Sequence, residues 1–182
     1  MAPDLPFSSK PETQRLFFAL WPESTISRKL HEAACKLLPA ASRCVVPENI
    51  HLTLAFLGSR KADFKKCAEQ AAGAIRTGRF TMTLEEIGYW KKSGILWAGP
   101  MQPPGALLAL VRELNAGLAP CGYEAEMRPY AAHLTLARGV GKFGEKRSIE
   151  PLVWQVREFF LVQSMTHREG ARYEILRQWE LR

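Results

Sequence analysis

The order of apolar and polar positions along this chain reads as short strands interleaved with helices. Arg15 to Trp21 is a compact apolar and aromatic run, the mark of a buried strand. After Pro22, the residues Ile26, Leu30, Ala33, Ala34, Leu37 and Leu38 recur at helical spacing until Pro39 stops the pattern. Arg43 to Val46 reads as a short strand, and Pro47, Glu48 and Asn49 as a turn into a strand that Gly58 and Ser59 end. A second helix is predicted from Ala62 to Arg76, with Phe64, Cys67, Ala68, Ala71 and Ile75 on one face. Arg79 to Ile87 alternates as a half-buried strand does. Tyr89 to Gly94 reads as a turn, and Gly94 to Gly99 as the next strand. A third helix carries the stripe Leu107, Leu110, Val111, Leu114 and Leu118, with Gly122 capping its end. A loop rich in Gly, Lys and Glu spans Gly141 to Arg147. Trp154 to Met165 reads as one long strand, paired as a hairpin with Arg172 to Leu181 across His167 to Gly170. Residues 1–14 are polar and proline-containing and read as a loose end; 15–182 read as one domain of the α+β class, mostly antiparallel.

One word breaks the monotony of this pattern. His51-Leu52-Thr53-Leu54-Ala55 returns letter for letter, 82 residues on, as His133-Leu134-Thr135-Leu136-Ala137. Each copy follows a strand–helix unit, opened by Trp21-Pro22 in one case and by Trp97 to Pro100 in the other. Internal repetition of this kind implies two lobes of similar build, each bringing the same word to a shared place. Successive side chains of a strand point to opposite faces. The leucines therefore share a core face, and His51, Thr53, His133 and Thr135 the other.

Composition narrows the setting. The 182-residue chain is 47% hydrophobic and 24% charged, a balance ordinary for globular proteins. It has neither a run long enough to span a membrane nor the basic-then-apolar start of a signal peptide, so a cytoplasmic protein without a membrane partner is the default reading. Cys35, Cys44, Cys67 and Cys121 have no zinc-knuckle or CxxC spacing and read as scattered free thiols. His31, on the first helix, and His167, in the last turn, read as surface residues. The formal charge of +7 favours anionic partners, with nucleic acid or a phosphate ester foremost.

Two imidazoles facing one cleft suit general acid–base chemistry, because histidine exchanges protons near neutrality. At a phosphodiester, one ring takes a proton from the attacking oxygen while the other gives one to the leaving oxygen. Thr53 and Thr135 are placed to donate to the non-bridging oxygens. No Asp, Glu or Cys stands at a metal-ligand spacing to either word, so neither metal nor other cofactor is expected. Arg138 follows the second word where Phe56 follows the first. Strict alternation points it to the leucine face, but Gly139 signals the end of the strand and lets the guanidinium turn towards a phosphate. Arg128 and Tyr130 lie just upstream on the same rim, and Phe56, Trp90, Trp97 and Tyr130 are aromatic surfaces on which a base could stack.

With both words in view, the chain resembles the two-histidine (2H) phosphoesterase superfamily, and within it the LigT-like RNA 2′,3′-cyclic phosphodiesterases, also called 2′-5′ RNA ligases. The likeness rests on Arg15 to Leu20, on residues 47–58 (PENIHLTLAFLG), on residues 133–138 (HLTLAR), on Ser164, and on Tyr173, Leu176 and Trp179. It implies a bilobal fold with two antiparallel sheets flanking a central cleft and helices outside. It also implies hydrolysis of an RNA 2′,3′-cyclic phosphate, or of a small cyclic nucleotide, to a 2′-phosphomonoester. Carried over, His51 is the proton donor and His133 the proton acceptor, in a monomer that needs no cofactor. Two alternatives stand beside this: a non-catalytic RNA-binding module of the same fold, and the reverse reaction, 2′-5′ ligation.

Overall fold

The computed structural model describes residues 13–39, 42–144, 146–167 and 170–182; most of the expected loose end, and the tip of the last hairpin with the His167 side chain, lie outside them. Among these residues, eight strands and three α-helices follow one another. They are β1 (Gln14–Leu20), α1 (Ser24–Leu37), β2 (Leu52–Arg60), α2 (Ala62–Gly73), β3 (Phe80–Trp90), β4 (Ile95–Gly99), α3 (Gly105–Leu118), β5 (Leu134–Ala137), β6 (Arg147–Val156), β7 (Glu158–His167) and β8 (Gly170–Glu180). All eight strands join one sheet in the order β6-β3-β4-β5-β2-β1-β7-β8, and every pairing is antiparallel.

That order reads the same way outward from its middle. Each copy of the repeated word lies at the centre, next to the strand that opens its own strand–helix unit. β2 and β5 meet at a single register pair, Leu52 with Leu134. One sheet order with a narrow seam thus replaces the two separate sheets expected. The leucines of both words are sealed in the main core, with Leu52 and Leu134 fully buried, and that core also takes in the apolar stripes of α1 and α3.

Only Arg157 lies between β6 and β7, yet these strands stand six steps apart in the order. Six steps of a flat sheet cover about 29 Å, whereas the chain from Val156 to Glu158 reaches about 7 Å. The sheet is therefore bent until its far margins approach. The single strand expected from Trp154 to Met165 is two strands, one in each half. The apolar spacing changes there, from Trp154 and Val156 at period two to a run that restarts at Phe159, and the two adjacent polar residues Arg157 and Glu158 mark the break. Pro151 in β6 is tolerated because β6 is an edge strand and its register with β3 slips between Leu84 and Glu86. The short strand expected at Arg43 to Val46 reduces to one bridge, Cys44 with Ala137, and a hydrogen bond from Val45 N–H to Leu136 O (2.7 Å).

Two of the expected free thiols are joined. Cys67 and Cys121 form a disulfide, with Cα atoms 5.7 Å apart. The packing of α2 against the turn that ends α3 brings them together, and no spacing in the chain announces such a contact. His31, read as a surface residue, is half-buried instead, because its ring is drawn to the Val45 carbonyl.

Gly88 pairs with Trp97, and the indole lies across it; a Cβ there would sit 2.2 Å from Trp97 Cζ2. Gly88→Ala forces the ring aside and is expected to lower stability by about 1–3 kcal/mol, read by denaturant unfolding.

Candidate active site

The Leu52–Leu134 pair fixes the geometry of the polar face. It sets Thr135 opposite His51 and Thr53 opposite His133, so the two histidines are diagonal neighbours, about 7–8 Å apart in such a ladder. Each ring is oriented by the same local device. His51 Nδ1 lies 2.8 Å from Asn49 O, and His133 Nδ1 lies 2.8 Å from Ala131 O. A carbonyl only accepts, so Nδ1 carries the hydrogen and Nε2 is left free in both rings. The carbonyl two residues back does this work, and side-chain identity gives no sign of it.

The two halves dress their histidines differently. His51 stacks on Trp21 (centroids 4.8 Å apart, 21° between planes), with Phe17 at 5.0 Å and Tyr173 edge-on at 4.9 Å. Trp21 is held in turn by a hydrogen bond from its Nε1–H to Glu48 O. His133 meets one ring, Trp90, edge-on at 4.5 Å, and Trp90 leans on Trp97 at 5.5 Å. Phe17, Trp21 and Tyr173 went unnoticed as site residues because aromatic residues in strands are mostly core. Their signal in the sequence is position: Phe17 lies in β1 and Trp21 just beyond its end, beside the antiparallel strand that His51 leads into.

Arg138 reaches the histidine face for a reason other than the strand end expected from Gly139. The register between β4 and β5 slips between Leu96 and Trp97, where partners jump from Ala137 to Thr135. The register between β1 and β2 slips at the equivalent point, where partners of Phe18 and Ala19 jump from Ala55 to Thr53. Each slip is a bulge with one extra residue, Leu136 or Leu54. Leu and Ala of each bulge are both buried, and the next residue returns to the His/Thr face. Arg138 and Phe56 are accordingly exposed, Phe56 at 44%, with the Arg15 guanidinium 4.9 Å from its ring centroid. The two upstream rim residues part company. Tyr130 donates its hydroxyl to Thr53 O at 2.8 Å and so braces the first word rather than offering that group to a ligand. Arg128 is exposed, ion-paired to Glu126, and lies close enough to His133 to act on its charge.

The electrostatics follow from this arrangement. Burial pushes His51 down to about 4, helped by the charge of Arg138 and by His133, against the opposing pull of the Asn49 carbonyl. Burial also lowers His133, again with Arg138 and then Arg128 contributing. One guanidinium thus acts on both rings. Without an anion, both imidazoles favour the neutral form at neutral pH. An unfolded chain binds a proton at His51 near pH 6.5, whereas the folded chain resists until about 4. Stability from this group is therefore full above pH 6.5 and is lost as pH falls towards 4, about 3 kcal/mol in all. Denaturant unfolding across that window should show the loss, and inorganic phosphate should lessen it by favouring the protonated folded state.

Fold and site together define a class: antiparallel α+β proteins with a duplicated half and paired His-x-Thr strands. The profile of the 2′-5′ RNA ligase superfamily matches residues 22–168, and the chain belongs to that family. It is 38% identical over 175 residues to the RNA 2′,3′-cyclic phosphodiesterase of Escherichia coli K12, covering 93% of this chain and 98% of that one. It is 29% identical over 185 residues to the protein of the same name from Thermus thermophilus, covering 92% and 90%. Among solved structures, E. coli LigT complexed with 3′-AMP superposes with a TM-score of 0.84 at 36% identity, over 93% of this chain and 99% of that one.

Proposed function

We propose that this protein is an RNA 2′,3′-cyclic phosphodiesterase that yields 2′-phosphomonoesters, with His51 and His133 as its acid and base. The observation that carries this is the matched pair of rings, each with Nδ1 held by the carbonyl two residues back and Nε2 free, diagonal to one another on one face. The likeness to E. coli LigT, whose structure holds 3′-AMP, and to relatives named for the reaction supports the substrate class.

The step balances simply. Water attacks phosphorus, giving a proton to His133 Nε2. The bond from phosphorus to the 3′ oxygen breaks, and His51 Nε2 delivers a proton to that oxygen. The phosphate stays on the 2′ oxygen. Thr53 and Thr135 donate to the non-bridging oxygens, and Arg138 grips the same group from the second half. The bound anion offsets the charge of Arg138 and so favours the protonated His51 that the step requires. Phe56 offers the base an exposed aromatic face on the same side, and Arg128 adds charge at the rim. In this reading the bent sheet acts as two lobes about a cleft, closed over one RNA end by a monomer working in the cytoplasm.

The test is turnover of an oligoribonucleotide ending in a 2′,3′-cyclic phosphate, with EDTA present. A 2′-phosphomonoester formed at an unchanged rate supports the reading. A 3′-phosphomonoester, chelator-abolished turnover, or tight binding with no ring opening overturns it, the last outcome favouring an RNA-binding module.

A further inference from the structure

On the far side of β5 from the histidines, three side chains that play no part in the proposed reaction meet. His31 and Cys35 stand one turn apart on α1, with Nε2 and Sγ 3.6 Å apart. His31 Nδ1 lies 2.8 Å from Val45 O, which fixes the hydrogen on Nδ1 and leaves the Nε2 lone pair turned to the Cys35 thiol. Cys44 adjoins Val45, whose carbonyl holds the His31 ring, and its thiol lies close enough to Cys35 for each to act on the other's ionisation. Cys35 is exposed, whereas Cys44 is half-buried against the main core.

We propose that Cys35 and Cys44 are a peroxide-responsive thiol pair that closes to a reversible disulfide, with His31 as the base that readies Cys35. The geometry assigns the roles. Cys35 is the thiol open to solvent with an imidazole acceptor at hand, so it meets the oxidant. His31 takes its proton, the thiolate attacks one peroxide oxygen, and the other leaves as water once it recovers that proton. Cys35 is then a sulfenic acid. Cys44 sulfur attacks it, a second water leaves with the thiol proton, and the disulfide is formed. Two thiols and one peroxide thus become one disulfide and two waters. Burial holds the Cys44 thiol protonated, at about 11, which suits a resolving partner shielded from the oxidant until Cys35 has reacted.

The position gives the pair its reach. Cys44 bridges Ala137, and Val45 N–H bonds Leu136 O; these two residues form the bulge that aims Arg138. Closure would staple the end of α1 to the strip of backbone behind that bulge.

The folded protein is treated with hydrogen peroxide, its remaining thiols are blocked, and it is digested with trypsin without reduction. Cys35 and Cys44 fall on different tryptic peptides, because Lys36 and Arg43 lie between them. The expected product is the linked peptide pair, lighter by two hydrogens and separated again by a thiol reductant. His31→Gln should form the same product severalfold more slowly at pH 7, with the deficit shrinking at pH 9. Cys44→Ser should stop at oxidised Cys35. A Cys35 that runs on to sulfinic acid beside a reduced Cys44, or that pairs with Cys67 or Cys121, overturns the proposal. So does oxidation no faster than in the urea-unfolded chain. None of these readouts depends on the phosphodiesterase reading.

Discussion

Replacing His133 with alanine should cut turnover of a cyclic phosphate end by about 10²–10⁴-fold, the usual worth of one general acid or base. His133 is the cleaner of the two positions to change. It meets a single aromatic ring, so its loss leaves the surrounding packing largely intact. His51 is wedged among Phe17, Trp21 and Tyr173, and alanine there opens a hole as well as removing a proton donor. His51→Gln keeps more of the volume and should lose a similar factor in rate. The double variant should be little slower than either single one, because the two rings serve one concerted proton transfer. Single-turnover kinetics on a cyclic-phosphate oligonucleotide measures all three. A His133→Ala protein within tenfold of the parent would end the acid–base account.

Arg138→Met carries the second large effect, a loss of about 10²–10³-fold in kcat/KM, the order seen when one donor to a developing oxyanion is removed. It also has a signature that simple loss of binding lacks. The guanidinium lowers both imidazoles, so its removal lets both rise. The free base, His133, then stays protonated to higher pH, and the acid limb of the kcat/KM profile moves up. Arg138→Lys keeps a positive charge but loses the two-pronged grip. It should therefore hold the limb near its original place while still losing rate. A methionine variant with an unmoved acid limb would mean that Arg138 does not sense the histidines.

Much of the candidate site is legible in the chain itself. The repeated word named both imidazoles and both threonines, and period-two alternation put them on one face, because a buried leucine ladder admits only one register. What stayed hidden lies in the backbone and in long-range packing. The matched bulges at Leu54 and Leu136 leave no mark in composition, yet they decide where Phe56 and Arg138 point. Gly139 points Arg138 to the histidine face through a strand end, whereas the register slip at Leu136 is what turns it there. Tyr130 was read as a ligand contact, and its hydroxyl instead braces Thr53 across the seam, a choice set by tertiary distance alone. The Cys67–Cys121 bond escaped for the same reason, since its partners are 54 residues apart and meet only because two helices pack. The split between β6 and β7 does leave a trace, since the alternation of Trp154 and Val156 breaks at Glu158 and an apolar run restarts at Phe159, but the single long strand expected here passes over it.

That single residue has a mechanical consequence. Arg157 works as a clasp: it ties edge strand β6 to β7, six places away in a long curled sheet, while at the middle β2 and β5 share one rung between Leu52 and Leu134. A linker of Gly-Ser spliced in at 157 would slacken the clasp without altering any group that touches RNA. The gap between the two rings would then rest on that rung, the Tyr130–Thr53 bond and the Cys67–Cys121 disulfide, and the aim at phosphorus would loosen from a point some distance from the chemistry.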